Sequence, residues 1–218
     1  RRPISISMYG GITSVAFSGF RIVAVCGSTI LSSADATTWT TLSLGSSQGN
    51  VTWAGDRFIL DGIGNHALFS ADGLVWTERV VDFSDYVSNS GVYGWNGTNI
   101  IEIDGSHRVR ASLNCSTWVT IDSIAGSGYF GRMVWTGSQL IAQSSQRIIS
   151  STTGFGWHDR FFAPSSGTFA DLIWTGQSIV GITSDGVPFT SYDAVTWQVW
   201  EKITGKATFT GICLFKDK

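Results

Sequence analysis

The chain has 218 residues, 43% of them hydrophobic, and a formal net charge of -2. This apolar share is enough for a folded core and excludes a disordered chain, and the lack of basic excess argues against binding to a nucleic-acid backbone. Apolar runs such as Phe58-Ile59-Leu60 are far shorter than the ~18 residues of a membrane span, so we expect no membrane insertion. The chain contains 26 Gly and 10 Trp but only 3 Pro, a composition typical of short strands joined by tight turns.

The cysteines predict neither a disulfide framework nor a zinc site. Cys26, Cys115 and Cys213 form no Cys-x-x-Cys pair, so we expect reduced thiols. No glycine-rich phosphate loop opens a helix, and no acidic loop has the spacing of a calcium site. The sequence therefore predicts no metal and no organic cofactor.

The chain begins with a short alternating segment and then repeats. Residues 1–11 contain Ile4-Ser5-Ile6-Ser7 and predict an N-terminal arm or closing strand. From residue 12 to the end we predict one domain with five repeats, over about 12–49, 50–91, 92–132, 133–171 and 172–211. Each repeat has an aromatic residue followed two positions later by glycine: Phe17 and Gly19, Trp53 and Gly55, Trp95 and Gly97, Trp135 and Gly137, Trp174 and Gly176.

Within a repeat, the apolar residues alternate over four short stretches. In the second repeat these stretches are 51–53, 57–60, 67–69 and 75–80, and residues that favour turns separate them. Four strands in about 40 residues, repeated along the chain, are the signature of a propeller blade. The sequence therefore predicts an all-β fold, a five-bladed β-propeller of four-stranded antiparallel blades.

A second motif places a Trp six residues after a Ser in every repeat, usually with Asp or Asn two residues after the Ser. A short polar side chain at that third position can accept hydrogen bonds from its own turn, and the Trp can bury a large apolar area between blades. We therefore interpret the motif as structural. Its members are Ser33, Asp35 and Trp39; Ser70, Asp72 and Trp76; Ser112, Asn114 and Trp118; Ser151 and Trp157; Ser191, Asp193 and Trp197.

The stretch from Ser70 to Trp76 resembles the Asp-box of sialidase-type (BNR) propeller repeats, in a form one residue shorter. The resemblance covers residues 12 to 200. It implies a propeller but leaves the activity open, because Asp-box propellers include sialidases, lectin-like modules, a photosystem assembly factor, and phage and bacterial surface proteins.

Two segments compete for the innermost strand that would close the ring. Residues 12–19 and 208–215 both read as such a strand, and 207–216 is the predicted closing strand. Closure avoids exposed sheet edges. The sequence leaves open which segment fills the place, and a terminal strand could also pair with a second copy of the chain.

Candidate ligand-binding residues lie in two sets of loops that a meander blade places on one face. His66 and His107 are either solvated turn residues or hydrogen-bond donors to a sugar or a partner carboxylate. Arg108 and Arg147 could converge on an anion, and Tyr86 and Tyr129 could stack on sugar rings or pack internally. The full set is Asn65, His66, Asp104, His107, Arg108, Gln146, Arg147 and Asp185 between second and third strands, with Tyr86 and Tyr129 between repeats.

We consider three functions for this sequence. A sialidase-like glycoside hydrolase would need clustered arginines, a Tyr–Glu nucleophile and an acidic Asp, but the chain offers only Glu78, Glu102 and Glu201, two of them on or after outer strands. A free-standing lectin would gain affinity from several weak sites. We expect instead a non-enzymatic virion component, in a phage tail, fibre or capsid surface, that docks on neighbouring proteins and recognises host glycans. This places the protein on a virion or at the extracellular surface.

Overall fold

The computed structural model describes residues 11–45, 49–61, 66–80, 91–115, 117–126, 128–205 and 208–212. The side chains of residues 61, 66, 79 and 80 are not described. Every regular element in these segments is a β-strand. They contain no helix that is long and apolar enough to cross a membrane.

The strands form five four-stranded antiparallel sheets, in which the strand order follows the chain. We number these sheets as blades 1 to 5. The all-β prediction of five such blades is confirmed. The strands are β1 (Ser14–Phe17), β2 (Ile22–Cys26), β3 (Thr29–Ser33) and β4 (Thr40–Ser43) in blade 1; β5 (Val51–Trp53), β6 (Phe58–Asp61), β7 (His66–Ser70) and β8 (Thr77–Val80) in blade 2; β9 (Val92–Trp95), β10 (Ile100–Ile103), β11 (Arg108–Ser112) and β12 (Val119–Ser123) in blade 3; β13 (Phe130–Trp135), β14 (Leu140–Ser144), β15 (Arg147–Ser151) and β16 (His158–Phe162) in blade 4; and β17 (Phe169–Trp174), β18 (Ile179–Thr183), β19 (Pro188–Ser191) and β20 (Gln198–Val199) in blade 5.

The chain divides into two compact units, 1–90 with blades 1 and 2, and 91–218 with blades 3, 4 and 5. In the first unit, the apolar core joins the two blades through Val23 and Val25 on one side and Phe58 and Leu60 on the other. The Trp53 ring lies 4.7 Å from the Phe58 ring, centroid to centroid, and seals this core.

The second unit has two cores, one on each side of blade 4. All five residues of β14 are buried, because alternate side chains face opposite neighbours. Leu140 and Ala142 belong to the core shared with blade 3, whereas Ile141 belongs to the core shared with blade 5. The Phe161 ring stacks on Trp197 with centroids 5.0 Å apart. A middle strand of this kind is buried along its whole length, and in β14 the buried residues include the polar Gln143 and Ser144.

The Ser-to-Trp motif forms the turn between the third and fourth strands. In blade 2, Asp72 Oδ1 accepts hydrogen bonds from the backbone N–H groups of Leu74 and Val75, at 2.8 and 2.9 Å. Gly73 N donates to Ser70 Oγ at 2.8 Å. Bonds of the same kind occur in blade 5, where the N–H groups of Thr196 and Val195 lower the pKa of Asp193 to about 2. The turn thus satisfies its own backbone donors.

The fourth position of this turn has a backbone requirement that the sequence analysis missed. Its φ is positive in all five blades, a conformation that costs an L-residue free energy. A Cβ on Gly154 would lie 2.7 Å from Ile101 Cδ1 of blade 3, so both space and conformation favour glycine there. The five residues and their φ values are Ala36 (58°), Gly73 (72°), Cys115 (61°), Gly154 (90°) and Ala194 (60°).

Side chains also join successive blades of the second unit by hydrogen bonds. The Asn96 amide, in the turn between β9 and β10, donates to Thr153 O of blade 4 at 2.7 Å. Gln139, in the corresponding turn of blade 4, donates to Asp193 O of blade 5 at 2.9 Å. Each bond reaches the third residue of the Ser-to-Trp turn in the next blade.

After β20, the chain returns toward the inner strands of blade 5. Phe209 N donates to Ser184 O at 3.1 Å, just as Phe169 N at the start of β17 donates to Ser145 O at 2.9 Å. Residues 208–212 therefore follow the path by which an innermost strand begins. Residues 1–10 and 213–218 lie outside the described part, so the N-terminal arm and the closing strand stay predictions.

Candidate binding site

Two kinds of loop meet at one edge of blades 3 to 5. They are the turns between second and third strands, at 104–107, 145–146 and 184–187, and the connections to the next blade, at 124–129 and 163–168. We call this the loop edge. Six of the predicted ligand-binding residues lie in these turns or at the starts of the strands that follow them, and Tyr129 lies in a connection.

Asp104 organises the turn of blade 3. Its Oδ1 accepts the backbone N–H groups of Ser106 and Arg108, both at 2.9 Å, and its Oδ2 accepts Arg108 Nε at 2.9 Å. Asp104 is only 5% exposed. Asp104 and Arg108 therefore stabilise this turn and are not directed toward solvent.

His107 connects this turn to the connection before blade 4. Its backbone has a φ of 63°, and its Nε2–H donates to Gly128 O at 2.7 Å. The imidazole also contacts the Phe130 ring edge-on, with centroids 5.7 Å apart. Of the two alternatives for this histidine, the structure shows neither, because the ring is engaged inside the protein.

Arg147 holds the other end of the same connection. Its Nη2 donates to Ala125 O and its Nη1 to Asp159 Oδ1 at 3.0 Å. The guanidinium also lies 5.7 Å from the centroid of Phe130. Asp104 pairs with Arg108 and Asp159 pairs with Arg147, and the convergence of the two arginines on an anion stays a prediction.

Tyr129 lies at the end of this doubly held connection, next to the backbone that His107 and Arg147 bind. It is 67% exposed. Gln146, in the adjoining turn of blade 4, is also exposed. The structure thus brings His107, Arg147 and Tyr129 together around residues 125–126 and 128–129, with the first two as supports and the tyrosine facing solvent.

Asp185 has a supporting role in blade 5. Its carboxylate accepts Ser165 Oγ at 2.9 Å and Thr183 Oγ1 at 2.6 Å, and Lys202 Nζ lies 3.0 Å away. The Thr183 hydrogen bond, followed by those from Lys202 and Ser165, lowers the pKa of Asp185 well below its usual range. Asn65, Tyr86 and the side chain of His66 lie outside the described residues.

A buried polar row in blade 3 was not predicted as a site. Tyr93 Oη donates to Glu102 Oε1 at 3.1 Å, and Arg110 Nη2 lies 3.1 Å from Glu102 Oε2 and 3.3 Å from Asp104 Oδ2. Burial raises the pKa of Glu102 to about 7, against the opposing effect of Arg110. Glu102 is 2% exposed, so this tyrosine–glutamate pair is buried in the described structure.

A second unpredicted cluster joins the inner strands of blades 4 and 5. Arg132 binds Asp171 through two hydrogen bonds, Nε to Oδ1 at 2.8 Å and Nη2 to Oδ2 at 3.0 Å. Gln143 lies opposite Arg132 in the register of β13 and β14. A sequence signal was available, because Arg132 and Asp171 each precede a repeat Trp by three residues and carry opposite charges.

Within the described segments, no group of three or more His, Cys, Asp or Glu side chains is arranged to hold a metal ion. Most of the side chains discussed above are bound to one another or to backbone, whereas Tyr129 and Gln146 are exposed. The chemistry that the loop edge offers is therefore hydrogen bonding and aromatic contact.

Comparison with solved structures identifies the fold. Virginiamycin B lyase from Staphylococcus aureus superposes with a TM-score of 0.75 at 10% identity, over 94% of this chain and 74% of that chain. The β-propeller domain of Swd1 from Myceliophteria thermophila gives 0.67 at 12%, over 93% and 76%, and YCF48 bound to a D1 peptide gives 0.51 at 15%, over 90% and 82%. The chain is a five-bladed β-propeller. At these identities the likeness shows the fold alone.

No known family model matches the sequence, and no curated protein does. The resemblance to Asp-box repeats is therefore not confirmed as family membership. The propeller fold is consistent with a scaffold for binding and protein interaction, since one protein of this fold was solved with a bound peptide.

The comparison corrects the expectation that the protein is not an enzyme. The neighbours include a lyase, so this fold carries catalysis in at least one relative of similar shape. The earlier expectation rested on the absence of sialidase residues, and that argument addresses a single reaction class. The propeller fold thus gives no ground for excluding an enzyme.

Proposed function

We propose that the protein binds a partner protein at the loop edge of blades 3 and 4, with Tyr129 as the central contact. The observation that carries this proposal is that His107 binds Gly128 O and Arg147 binds Ala125 O while Tyr129 stays 67% exposed. A tyrosine offers a flat apolar face and a polar tip, and such residues dominate the energy of many interfaces.

The held backbone supports binding for an entropic reason. A loop that is already ordered loses little conformational freedom when a partner arrives, so more of the contact energy remains as affinity. Gly126 fits this role, because a Cβ there would lie 2.9 Å from Arg147 Nη2. The glycine lets the backbone approach the guanidinium that fixes it.

We further propose that the partner belongs to a larger particle, with the protein at a virion surface in a phage tail, fibre or capsid. The low charged fraction of 14% supports a component that packs against neighbours. The resemblance of its repeats to those of phage surface propellers supports the same placement. A second copy of the chain remains a further proposed partner.

A second candidate function is recognition of a host glycan by the same residues. The observation that favours it is the exposed Gln146 in the turn next to Tyr129. Stacking of a sugar ring on the tyrosine, with a hydroxyl bonded to the glutamine amide, would use both groups.

The test uses a photo-reactive amino acid at position 129 and, as a matched control, at Phe155. Phe155 is an aromatic residue with similar exposure, 62%, in a turn between third and fourth strands, away from the loop edge. Cross-linking in the purified native particle should give one partner from position 129 and not from position 155. Tyr129→Ala should then weaken binding of that purified partner by about tenfold or more, while Phe155→Ala leaves it unchanged.

The result also separates the two candidates. Glycan-array binding that Tyr129→Ala abolishes, together with no protein cross-link, would favour the lectin function. Equal cross-linking from both positions, or a partner whose affinity survives Tyr129→Ala, would overturn the role of the loop edge.

A further inference from the structure

We propose that Arg132 and Gln143, supported by Asp171, form a binding site for a neutral amide group. The site lies between the inner strands of blades 4 and 5. It shares no residue with the connection 125–129, so it does not depend on the function proposed above.

Asp171 determines the net charge of the site. Asp171 is 5% exposed, and its Oδ1 accepts both Arg132 Nε at 2.8 Å and Leu172 N at 2.9 Å. Its Oδ2 accepts Arg132 Nη2 at 3.0 Å and Ile212 N at 3.2 Å. The carboxylate is therefore saturated with donors and neutralises the guanidinium, so the pair presents no net charge to a ligand.

Arg132 retains one hydrogen-bond donor, its Nη1, beyond those that bind Asp171. The two bonds to Asp171 use Nε and Nη2 of Arg132, and no other described residue engages its Nη1. The Arg132 side chain is 36% exposed. Its Nη1 can thus donate a hydrogen bond to a group that enters from solvent.

Gln143 supplies a buried hydrogen-bond acceptor, its Oε1. Gln143 is 5% exposed, and its Nε2 donates to Phe169 O at 3.2 Å. This bond fixes the orientation of the amide, because the reversed orientation would place two acceptor oxygens against each other. Its Oε1 has no hydrogen-bond partner among the described residues. A buried acceptor without a donor costs free energy, which a ligand N–H would recover.

Arg132 and Gln143 lie side by side on neighbouring strands. Arg132 and Gln143 are register partners on β13 and β14, so their side chains extend from the same face of the sheet. They reach β17 at Asp171 and Phe169, two residues apart across a register shift in that strand. Such bulges redirect side chains and are common beside binding sites.

These features select the chemical class of the ligand. A donor beside an acceptor, with no net charge, matches the C=O and N–H of an amide. A carboxylate or phosphate would bring an oxygen against Gln143 Oε1, and an ammonium group would face the Arg132 guanidinium. The ligand is therefore an amide, either in the backbone of a partner peptide or in a small molecule.

The experiment is a titration of ¹⁵N-labelled protein, followed through the side-chain NH₂ signals of Gln143. N-methylacetamide, which has both N–H and C=O, should give a saturable shift. N,N-dimethylacetamide lacks the N–H and should bind about fivefold more weakly. A doubly capped trialanine peptide distinguishes the sources: tighter binding than N-methylacetamide indicates a peptide backbone, and equal binding indicates a single amide.

Gln143→Met removes the acceptor at similar volume and should abolish the saturable shift, read from neighbouring backbone amides. Gln139→Met is the matched control, because that glutamine bonds Asp193 O elsewhere, and it should leave binding unchanged. If Gln143→Met does not fold, the comparison of the two acetamides on the unaltered chain still tests whether the ligand N–H contributes to binding. Shifts that do not saturate, equal affinity for both acetamides, or a long-lived water on Gln143 Oε1 that N-methylacetamide fails to displace would overturn the proposal.

Discussion

The side-chain amide of Asn96 in blade 3 donates a hydrogen bond to the backbone carbonyl of Thr153 in blade 4 over 2.7 Å. The Asn96 Oδ1 also accepts the N–H groups of Thr98 and Asn99. One residue therefore closes its own turn and fixes the next blade.

Asn96→Asp separates these two roles. The carboxylate can still accept from Thr98 N and Asn99 N, but it places an oxygen against Thr153 O. Because this bond is exposed to solvent, we expect a loss of about 0.5–1.5 kcal/mol in the free energy of unfolding, measured by urea denaturation. Thr98→Ala, in the same exposed turn, should change it by less than about 0.5 kcal/mol. Equal stability of Asn96→Asp and the unaltered chain would show that the inter-blade bond contributes nothing.

Gly154→Ala tests the fourth position of the Ser-to-Trp turn. The new Cβ would lie 2.7 Å from Ile101 Cδ1 in a backbone with φ of 90°, so we expect a loss of about 2–4 kcal/mol by thermal or urea unfolding. Gly156→Ala is the control, because its φ is 68° but nothing lies within 4 Å of the new Cβ. It should cost about 1–2 kcal/mol. Ile101→Val should partly rescue Gly154→Ala, and a lack of rescue would argue against the steric explanation.

The raised pKa of Glu102 predicts that the free energy of unfolding falls as the pH rises. Burial raises its folded-state pKa to about 7, above the value of 4.5 for a free carboxyl group. The folded state therefore holds more protons than the unfolded state between these values, so its contribution is fully present below about pH 4.5 and is lost as the pH rises to about 7. The groups that face Glu102 within blade 3 are Tyr93, Arg110 and Asp104.

The measurement is the urea midpoint of the unaltered chain and of Glu102→Gln between pH 4 and 8. The glutamine variant should lose the part of the decline between about pH 4.5 and 7. Glu201→Gln, at an exposed position, should keep it. A decline of the same size in Glu102→Gln would assign the effect to another group.

The lowered pKa of Asp193 predicts the opposite dependence in acid, where the free energy of unfolding falls as the pH falls. Backbone N–H groups lower its folded-state pKa to about 2, below its value of 3.8 as a free group. Its contribution is present above about pH 4 and is lost as the pH falls toward 2. Asp193→Asn keeps an acceptor oxygen, as Asn114 does toward Thr117 N in blade 3. It should retain the turn and weaken the acid dependence, which circular dichroism between pH 2 and 5 would show; an unchanged acid transition would contradict this.

The fold could be predicted because the repeat spacing and the alternation within each blade are local signals. The aromatic-x-Gly and Ser-to-Trp motifs recur in all five blades at turns that the structure places between consecutive strands. Such a pattern survives in one sequence because each copy faces the same local packing problem. The fourth-position φ was missed because Ala36, Cys115 and Ala194 stand where a glycine would have signalled it.

The binding site could be predicted less well, because its contacts are between blades. The candidate positions were identified at the loop edge, but the sequence could not show that His107 bonds Gly128 O or that Arg147 bonds Ala125 O. Those partners are 21 and 22 residues away. The Tyr129 side chain takes part in neither of these bonds and faces outward. Gln143 was missed for the same reason, since its partner on β17 lies 26 residues away.

The two inter-blade bonds, Asn96 to Thr153 and Gln139 to Asp193, both run from an earlier blade to the one that follows it. Blade 4 thus carries the giving half of one joint on its first turn and the receiving half of the other on its third. A gene duplication that inserted one more copy beside blade 4 would come with both halves already in place. Because both acceptors are backbone carbonyls, a new joint of this kind needs a suitable donor side chain in one copy only.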